Sequence, residues 1–382
     1  MIRNDAFYIQ QTGKIKYLIP VGQMKSDKKK CTIINSTGEY IWNLLEDDLT
    51  EQEIIDKSIE YFEVSEDEKE EFTNDICSYL KELRINSIIV EREMEPQNYL
   101  ENINSIVIAN IKLSFYGDKS IYPDKFTEFE TMDRRMEDVR VELVNSSLEF
   151  DLDRKLLVEN DLLRVVETND RYMLSFPQSK EVYGCQIKKD GRLVRIHAFH
   201  KLNEEGIQLV FDSIRVAFLY KALNYGYVAI HSASILYNNK AWLFTAPSGT
   251  GKSTHANLWK ESFGVNTING DLNLVALDNE KPVIYGTPWC GTSNIYDNEE
   301  HELGGVIILK RNEKNFIEEL PLEDKILLVS QRAVSPAWNK NMMEEQFRTV
   351  ADLTEKILIA RLNCNKESEA AVVIKQYIDK TQ

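Results

Sequence analysis

The chain has 382 residues, 43% of them hydrophobic and 28% charged, with a formal net charge of −16. That length holds at least two domains with cores of their own, and the acid excess argues against a non-specific nucleic-acid or membrane-surface binder, which needs a basic field. The five cysteines, Cys31, Cys77, Cys185, Cys290 and Cys364, form no CxxC or CxH pattern, and no run nears the ~18 apolar residues of a membrane span, so neither zinc nor a disulfide framework is expected and the expected address is cytoplasmic.

From Ala6 onward, "AFYIQ" and "KIKYLIPV" read as a hairpin and "CTIIN" as the next strand. The lysine run Lys25 to Lys30 between them reads as a solvated hairpin tip. Three helix starts of one type follow, with Ser36 before Glu39, Thr50 before Glu53 and Ser65 before Glu68, the spacing of a capping box. Each is followed by an apolar stripe: Tyr40, Ile41, Leu44 and Leu45; Ile54, Ile55, Ile59 and Phe62; Phe72, Ile76, Leu80 and Leu83. "SIIVE" closes the unit as a strand. Three short helices on a small sheet make a winged-helix-like module, and with no basic helix face it suits a peptide better than DNA.

Asn35, Gly38, Ile41, Trp42 and Leu45 follow the pattern N-x-x-G-x-x-I-W-x-x-L, and over residues 7 to 92 the sequence resembles the PqqD-like family. That resemblance implies recognition of the leader of a ribosomally made precursor peptide. The leader would add as a strand near Ile33, with the helix from Asp67 to Leu83 as the other groove wall. The expected domain is 1–95 and the linker 96–105, within the polar stretch Glu93 to Ser105.

Residues 106–208 alternate apolar and polar in short runs, which predicts a β-rich, antiparallel region with charged loops. His197 and His200 in "RIHAFH" would point to opposite faces of a strand, so they make no metal pair. "VFDSIRVAFLYKALNYG" reads as a helix burying Ile214, Ala217, Phe218, Tyr220 and Leu223.

In the remaining region, 209–382, "SASILYNNKAWLFTA" reads as two strands, the second running into "PSGTGKST". A strand, a glycine-rich loop and a helix in that order form a phosphate-binding P-loop, in which inward amides make an anion nest at the helix start. Ser248, Gly249, Thr250, Gly251, Lys252, Ser253 and Thr254 are the expected nucleotide-binding residues. Lys252 would reach the β and γ phosphates and Ser253 would ligate magnesium; Ala246 replaces the usual first glycine. Asp271, nineteen residues after Lys252 at a strand break, is the candidate for magnesium ligation or for deprotonating an acceptor hydroxyl. His231 starts the strand that pairs with the loop strand.

The layout from "HSASILYNNKAWLFTAPSGTGKST" through "INGD" to "GTPWCGTSN" resembles the catalytic domain of HPr kinases and the kinases of lasso-peptide gene clusters, a family related in fold to phosphoenolpyruvate carboxykinases. The resemblance implies ATP and Mg2+ as cofactors and transfer to a serine hydroxyl, with His231, Lys252 and Asp271 as catalytic residues. Gly270 stands where the family carries the first of two aspartates. Thr287, Trp289 and Asn294 are expected to line the site, with a core position equally open for Trp289, and Lys310 and Arg311 close a buried strand either as a solvated end or as cations that meet phosphate. The C-terminal stretch from Val350 reads as amphipathic helix at both ends. The expected fold class is therefore α+β to α/β, a PqqD-like domain followed by a P-loop kinase domain. The expected function is phosphorylation of a captured precursor peptide; a nucleotide-dependent sensor and a small-molecule kinase are the alternatives, and a homo-oligomer is compatible with the sequence.

Overall fold

Apolar spacing and chain reversals build two units, Met1–Met94 and Glu95–Gln382, in a computed structural model that describes residues 1–47, 49–90, 93–148, 155–247 and 249–381. In the first unit β1 (Ile2–Arg3) pairs antiparallel with β5 (Ile89–Val90). β2 (Phe7–Thr12), β3 (Ile15–Pro20) and β4 (Thr32–Ile34) make a separate antiparallel sheet in that order. The lysine run is largely exposed, but the connection that carries it forms a short helix, α1 (Gly22–Ser26), rather than a plain tip. The helices α2 (Ser36–Leu44), α3 (Glu51–Tyr61) and α4 (Lys69–Ile85) bury the expected stripes, with Ile41, Trp42, Leu45, Ile54, Ile76, Leu80 and Leu83 in one core.

Only one of the three helix starts is a capping box. Thr50 and Glu53 close it reciprocally. At α2 the cap is Asn35, whose side chain accepts from Gly38 N at 2.8 Å, so the helix enters one residue earlier than a Ser36 cap would allow. At α4 the Ser65 hydroxyl donates to Glu68 at 2.6 Å; the two side chains satisfy each other and the helix begins uncapped at Lys69.

The second unit contains two eight-stranded sheets. The first comprises β6 (Asn102–Ile108), β7 (Ile111–Gly117), β8 (Val139–Val144), β9 (Lys155–Glu159), β10 (Arg164–Glu167), β11 (Arg171–Ser175), β12 (Val182–Lys188) and β13 (Leu193–Ala198). It is not wholly antiparallel, because β8 runs parallel to both β7 and β13. The long excursion between β7 and β8 buries Ile121, Phe126 and Phe129 and brings the chain back in its original direction, as a parallel crossover requires. His197 is buried with Nδ1 2.9 Å from Ser146 Oγ, whereas the exposed His200 meets Asp118 at 2.7 Å beyond the strand end.

Asn203 caps α5 (Glu204–Asn224), and β14 (Val228–Tyr237), β15 (Lys240–Thr245), α6 (Lys252–Phe263), β16 (Thr267–Asn269), β17 (Leu272–Asp278), β18 (Lys281–Tyr285) and β19 (Glu300–Arg311) follow. The chain ends with β20 (Phe316–Glu318), α7 (Leu322–Ser330), α8 (Lys340–Thr354), β21 (Leu358–Cys364) and α9 (Ser368–Thr381). The order β15-β14-β17-β18-β19 closes on itself because β15 also pairs parallel with β19. The stretch read as helical at both ends holds a central strand, β21, whose Ile359, Ala360 and Leu362 are buried. One hydrophobic cluster runs through both sheets by way of α5, and a second, around Trp242, Phe244 and Trp259, seats α6 and α9.

Candidate functional site

The glycine-rich loop expected to hold phosphate leaves β15 at Thr245 and enters α6 at Lys252. Gly249 and Gly251 have φ of +73° and +116°, backbone that a side chain disfavours. Ala246 is fully buried, so its methyl is accommodated where a glycine is usual. Thr250 N bonds to Pro247 O at 3.2 Å, and Arg311 at the end of β19 donates to the Gly249 carbonyl. Ser253 and Thr254 expose their hydroxyls on the first turn of α6. Ser248 lies outside the described residues.

Lys252 Nζ lies 2.8 Å from His231 Nε2, and His231 Nδ1 lies 3.1 Å from Asp271 Oδ1. An ammonium has only hydrogens to give, so Nε2 accepts; a neutral imidazole then carries its proton on Nδ1 and donates it to Asp271. β14, the first residue of α6 and the break between β16 and β17 thus bring a histidine, a lysine and an aspartate into one chain of contacts. β14 is fixed at this point by Thr245 Oγ1 donating to His231 O at 2.8 Å and by His231 N donating to Arg332 O at 2.9 Å.

The His231 hydrogen bond holds the Asp271 carboxyl below its usual range against the opposing effect of burial, with the charges of Lys252 and Arg215 assisting. Burial lowers the Lys252 ammonium; Asp271 opposes that shift and Arg332 adds to it. Arg215 on α5 and Arg332 after α7 escape sequence reading because only tertiary folding brings them near.

Asp271 is aimed by a residue the sequence reading passed over. Asn269 is buried; its Oδ1 accepts from Asp271 N at 2.9 Å and Leu272 N at 3.1 Å, and its Nδ2 donates to Thr287 O at 3.1 Å. The signal was the asparagine before Gly270, a side chain suited to such a turn. Thr287 therefore braces the site from behind instead of lining it, its hydroxyl donating to Leu272 O at 2.9 Å. Trp289 is likewise core, packed on Phe126, Phe211 and Phe218. Asn294 is exposed, and burial raises the Cys290 thiol. Lys310 is exposed and acts on Glu318.

The place of the expected second acid is filled. A Cβ on Gly270 would collide with Ser293 Oγ and stand 2.5 Å from Ser293 Cβ, while a Cβ on Gly291 would stand 3.0 Å from Asp271 Cγ. The strap from Trp289 to Asn294 thus lies directly over Asp271. Among the described residues no group of three or more His, Cys, Asp or Glu could hold a metal. One carboxylate and one exposed hydroxyl suit Mg2+, which keeps several waters and takes phosphate oxygens, better than they suit a cation caged by protein alone.

The first unit carries a different cavity, about 410 Å³, between β4 and α4. Ile33, Asn35, Gly38, Phe72, Ile76 and Tyr79 line it. β4 is the edge of its sheet and Ile33 is 65% exposed. Tyr79 Oη is buried with no hydrogen-bond partner among the described residues, and burial pushes its pKa up to about 12.

Residues 24–89 match the family model of coenzyme PQQ synthesis protein D (PqqD). No curated protein matches the chain. Among solved structures, the Hpr(Ser) kinase/phosphatase from Coxiella burnetii is similar to 40% of this chain and 97% of its own length, at 11% identity and a TM-score of 0.24. No described helix is long and apolar enough to cross a membrane. The first unit therefore carries a PqqD-like domain.

Proposed function

We propose that the protein is an ATP-dependent kinase that phosphorylates a hydroxyl, serine foremost, of a precursor peptide held through its leader by the first unit. The observation that carries this reading is the Lys252–His231–Asp271 line at the mouth of a phosphate loop. Lys252 leaves His231 for the β and γ phosphates, and the loop amides between Gly249 and Gly251 cradle them. The acceptor oxygen attacks the γ phosphorus as the bond to the β,γ-bridging oxygen breaks, and ADP leaves. The acceptor proton passes to the Asp271 carboxylate, which His231 holds ionised and oriented. Ser253 and Asp271 would hold Mg2+, which would neutralise charge on the phosphates.

The groove beside β4 suits an added leader strand, whose side chains would enter between Phe72 and Tyr79. Tethering the leader in the same chain raises the local concentration of acceptor to roughly millimolar. A nucleotide-gated peptide binder is the second reading, favoured by the strap side chain standing where a second acid would be. γ-Labelled ATP with magnesium and the precursor peptide encoded beside the gene decides between them. Label on the peptide, lost in Lys252→Ala and Asp271→Ala, is the expected result; tight ATP binding with no transfer to any peptide or metabolite would overturn the kinase.

A further inference from the structure

A cleft of about 1050 Å³ opens at the first turns of α5, walled by that helix, Lys125, Leu162 and the segment from Phe176 to Glu181. Contacts of the strap and of α5 connect it to the transfer site. The carbonyl of Phe211, a wall residue, accepts from Trp289 Nε1 at 3.3 Å, and Trp289 begins the strap whose Gly291 packs on Asp271. Asp212, also in the wall, pairs at 3.2 Å with Arg215 on the next turn of α5.

The phosphate loop has a smaller pocket of its own, about 200 Å³, lined by Thr250, Thr254, His255, Leu258 and Arg311 among others. That pocket adjoins the loop and the start of α6, and it shares no lining residue with the larger cleft. We propose that the cleft at α5 is the acceptor subsite, holding an extended, net-basic peptide segment around the phosphorylated hydroxyl; this rests on the kinase reading above.

Its volume stands at the upper end of the range of small-molecule sites, about 300–1,000 Å³, and leaves room for an extended segment. Its lining mixes apolar groups such as Phe176 and Leu202 with polar ones such as Gln178 and Ser179. Leu162 is 70% exposed there, an apolar contact awaiting a partner. The charge is acidic: Glu204, Glu205 and Asp212 line it with Glu181, against Lys125 and Lys180. Glu181 is already spent on Asn203, and Lys125 donates to Gln208 at 2.5 Å. The carboxylates of Glu204 and Glu205 at the rim are what a lysine or arginine flanking the acceptor would meet.

The test uses the full chain and two synthetic core peptides without leader, one with lysines flanking its serine and one with glutamates. Binding is read by fluorescence anisotropy with a non-hydrolysable ATP analogue present, and transfer by label from γ-labelled ATP. The E204K/E205K double variant should raise Kd and KM for the basic peptide by about tenfold or more, a change near 1.4 kcal/mol, and should bind the acidic peptide more tightly than the wild type does. Leu162→Asp should weaken both peptides without changing their order. Unchanged peptide affinity in both variants overturns the cleft while leaving the kinase standing. Charge-switched binding with no transfer by the wild type removes the kinase and keeps the cleft as a peptide site.

Discussion

The groove of the first unit and the line of side chains in the second are assembled over different reaches of chain. The groove takes its walls from β4, the start of α2 and one face of α4, within residues 33 to 79. The phosphate site gathers His231 from β14, Lys252 from α6, Asp271 from the β16–β17 break, Arg215 from α5, Arg332 after α7 and a strap from residues 289 to 294. A surface that captures a strand needs one free edge and one apolar helix face, which local sequence supplies. The second site needs opposite charges within bonding distance, and here the closed sheet and its flanking helices deliver them from widely separated positions.

The largest effect expected falls on the second region alone. Asp271→Ala removes the group proposed to take the acceptor proton, and Lys252→Ala the group proposed to meet the β and γ phosphates. Each should lower transfer by about a thousandfold, the upper range for a positioned acid–base or charge-stabilising group, with leader binding to the first unit intact. Loss of leader binding in either variant would break the division of labour. On the other side, Trp42→Ala empties the core of the first unit, where Trp42 is 4% exposed. It should cost that unit about 3–5 kcal/mol and abolish leader binding, while a fluorescent ATP analogue still titrates the loop.

Acid should separate the two regions as well, because all five histidines lie in the second. Burial lowers the pKa of both His197 and His255 to about 4 from an ordinary 6.5. Their neutral forms are the folded ones, so the stability they contribute is complete above pH 6.5 and is lost as pH falls toward 4, when the unfolded chain binds protons the folded one refuses. Each contributes at most about 3 kcal/mol of that dependence. Calorimetric scans from pH 7 to 4 should show the second unit's transition falling while the first unit's holds, and His197→Gln should flatten the slope.

What the sequence disclosed follows the same division. The strand–loop–helix of the phosphate site and the stripes of α2 to α4 were legible because each is a pattern of neighbours. β21 was passed over because Ile357 to Cys364 is a short apolar run between two helical stretches, which periodicity cannot assign. The parallel setting of β8 depends on a crossover whose aromatic residues read as loop. Arg215 and Arg332 carry no local signature of their use, Asn269 carries only that of a turn residue, and Thr287 was placed in the site because it stands near it in the chain, whereas its side chain, like that of Trp289, turns into the core.

Gly270 sharpens the comparison at the smallest scale. As a missing acid it looks like a loss; beside Ser293 it is the condition that lets the strap close over Asp271. Ser293 is not a loose chain end that swings aside, because its hydroxyl donates to Cys290 O at 2.7 Å and accepts from Ile295 N at 3.2 Å. Gly270→Ala should therefore displace the strap, at a cost of about 1–3 kcal/mol, the range for overpacking a filled site. Transfer should fall more than nucleotide affinity, since the strap covers Asp271 and not the loop. Adding Ser293→Gly should recover most of the stability by vacating the space. If Gly270→Ala is silent in both stability and transfer, the strap does not fix Asp271, and the site is set by Asn269 and His231 alone.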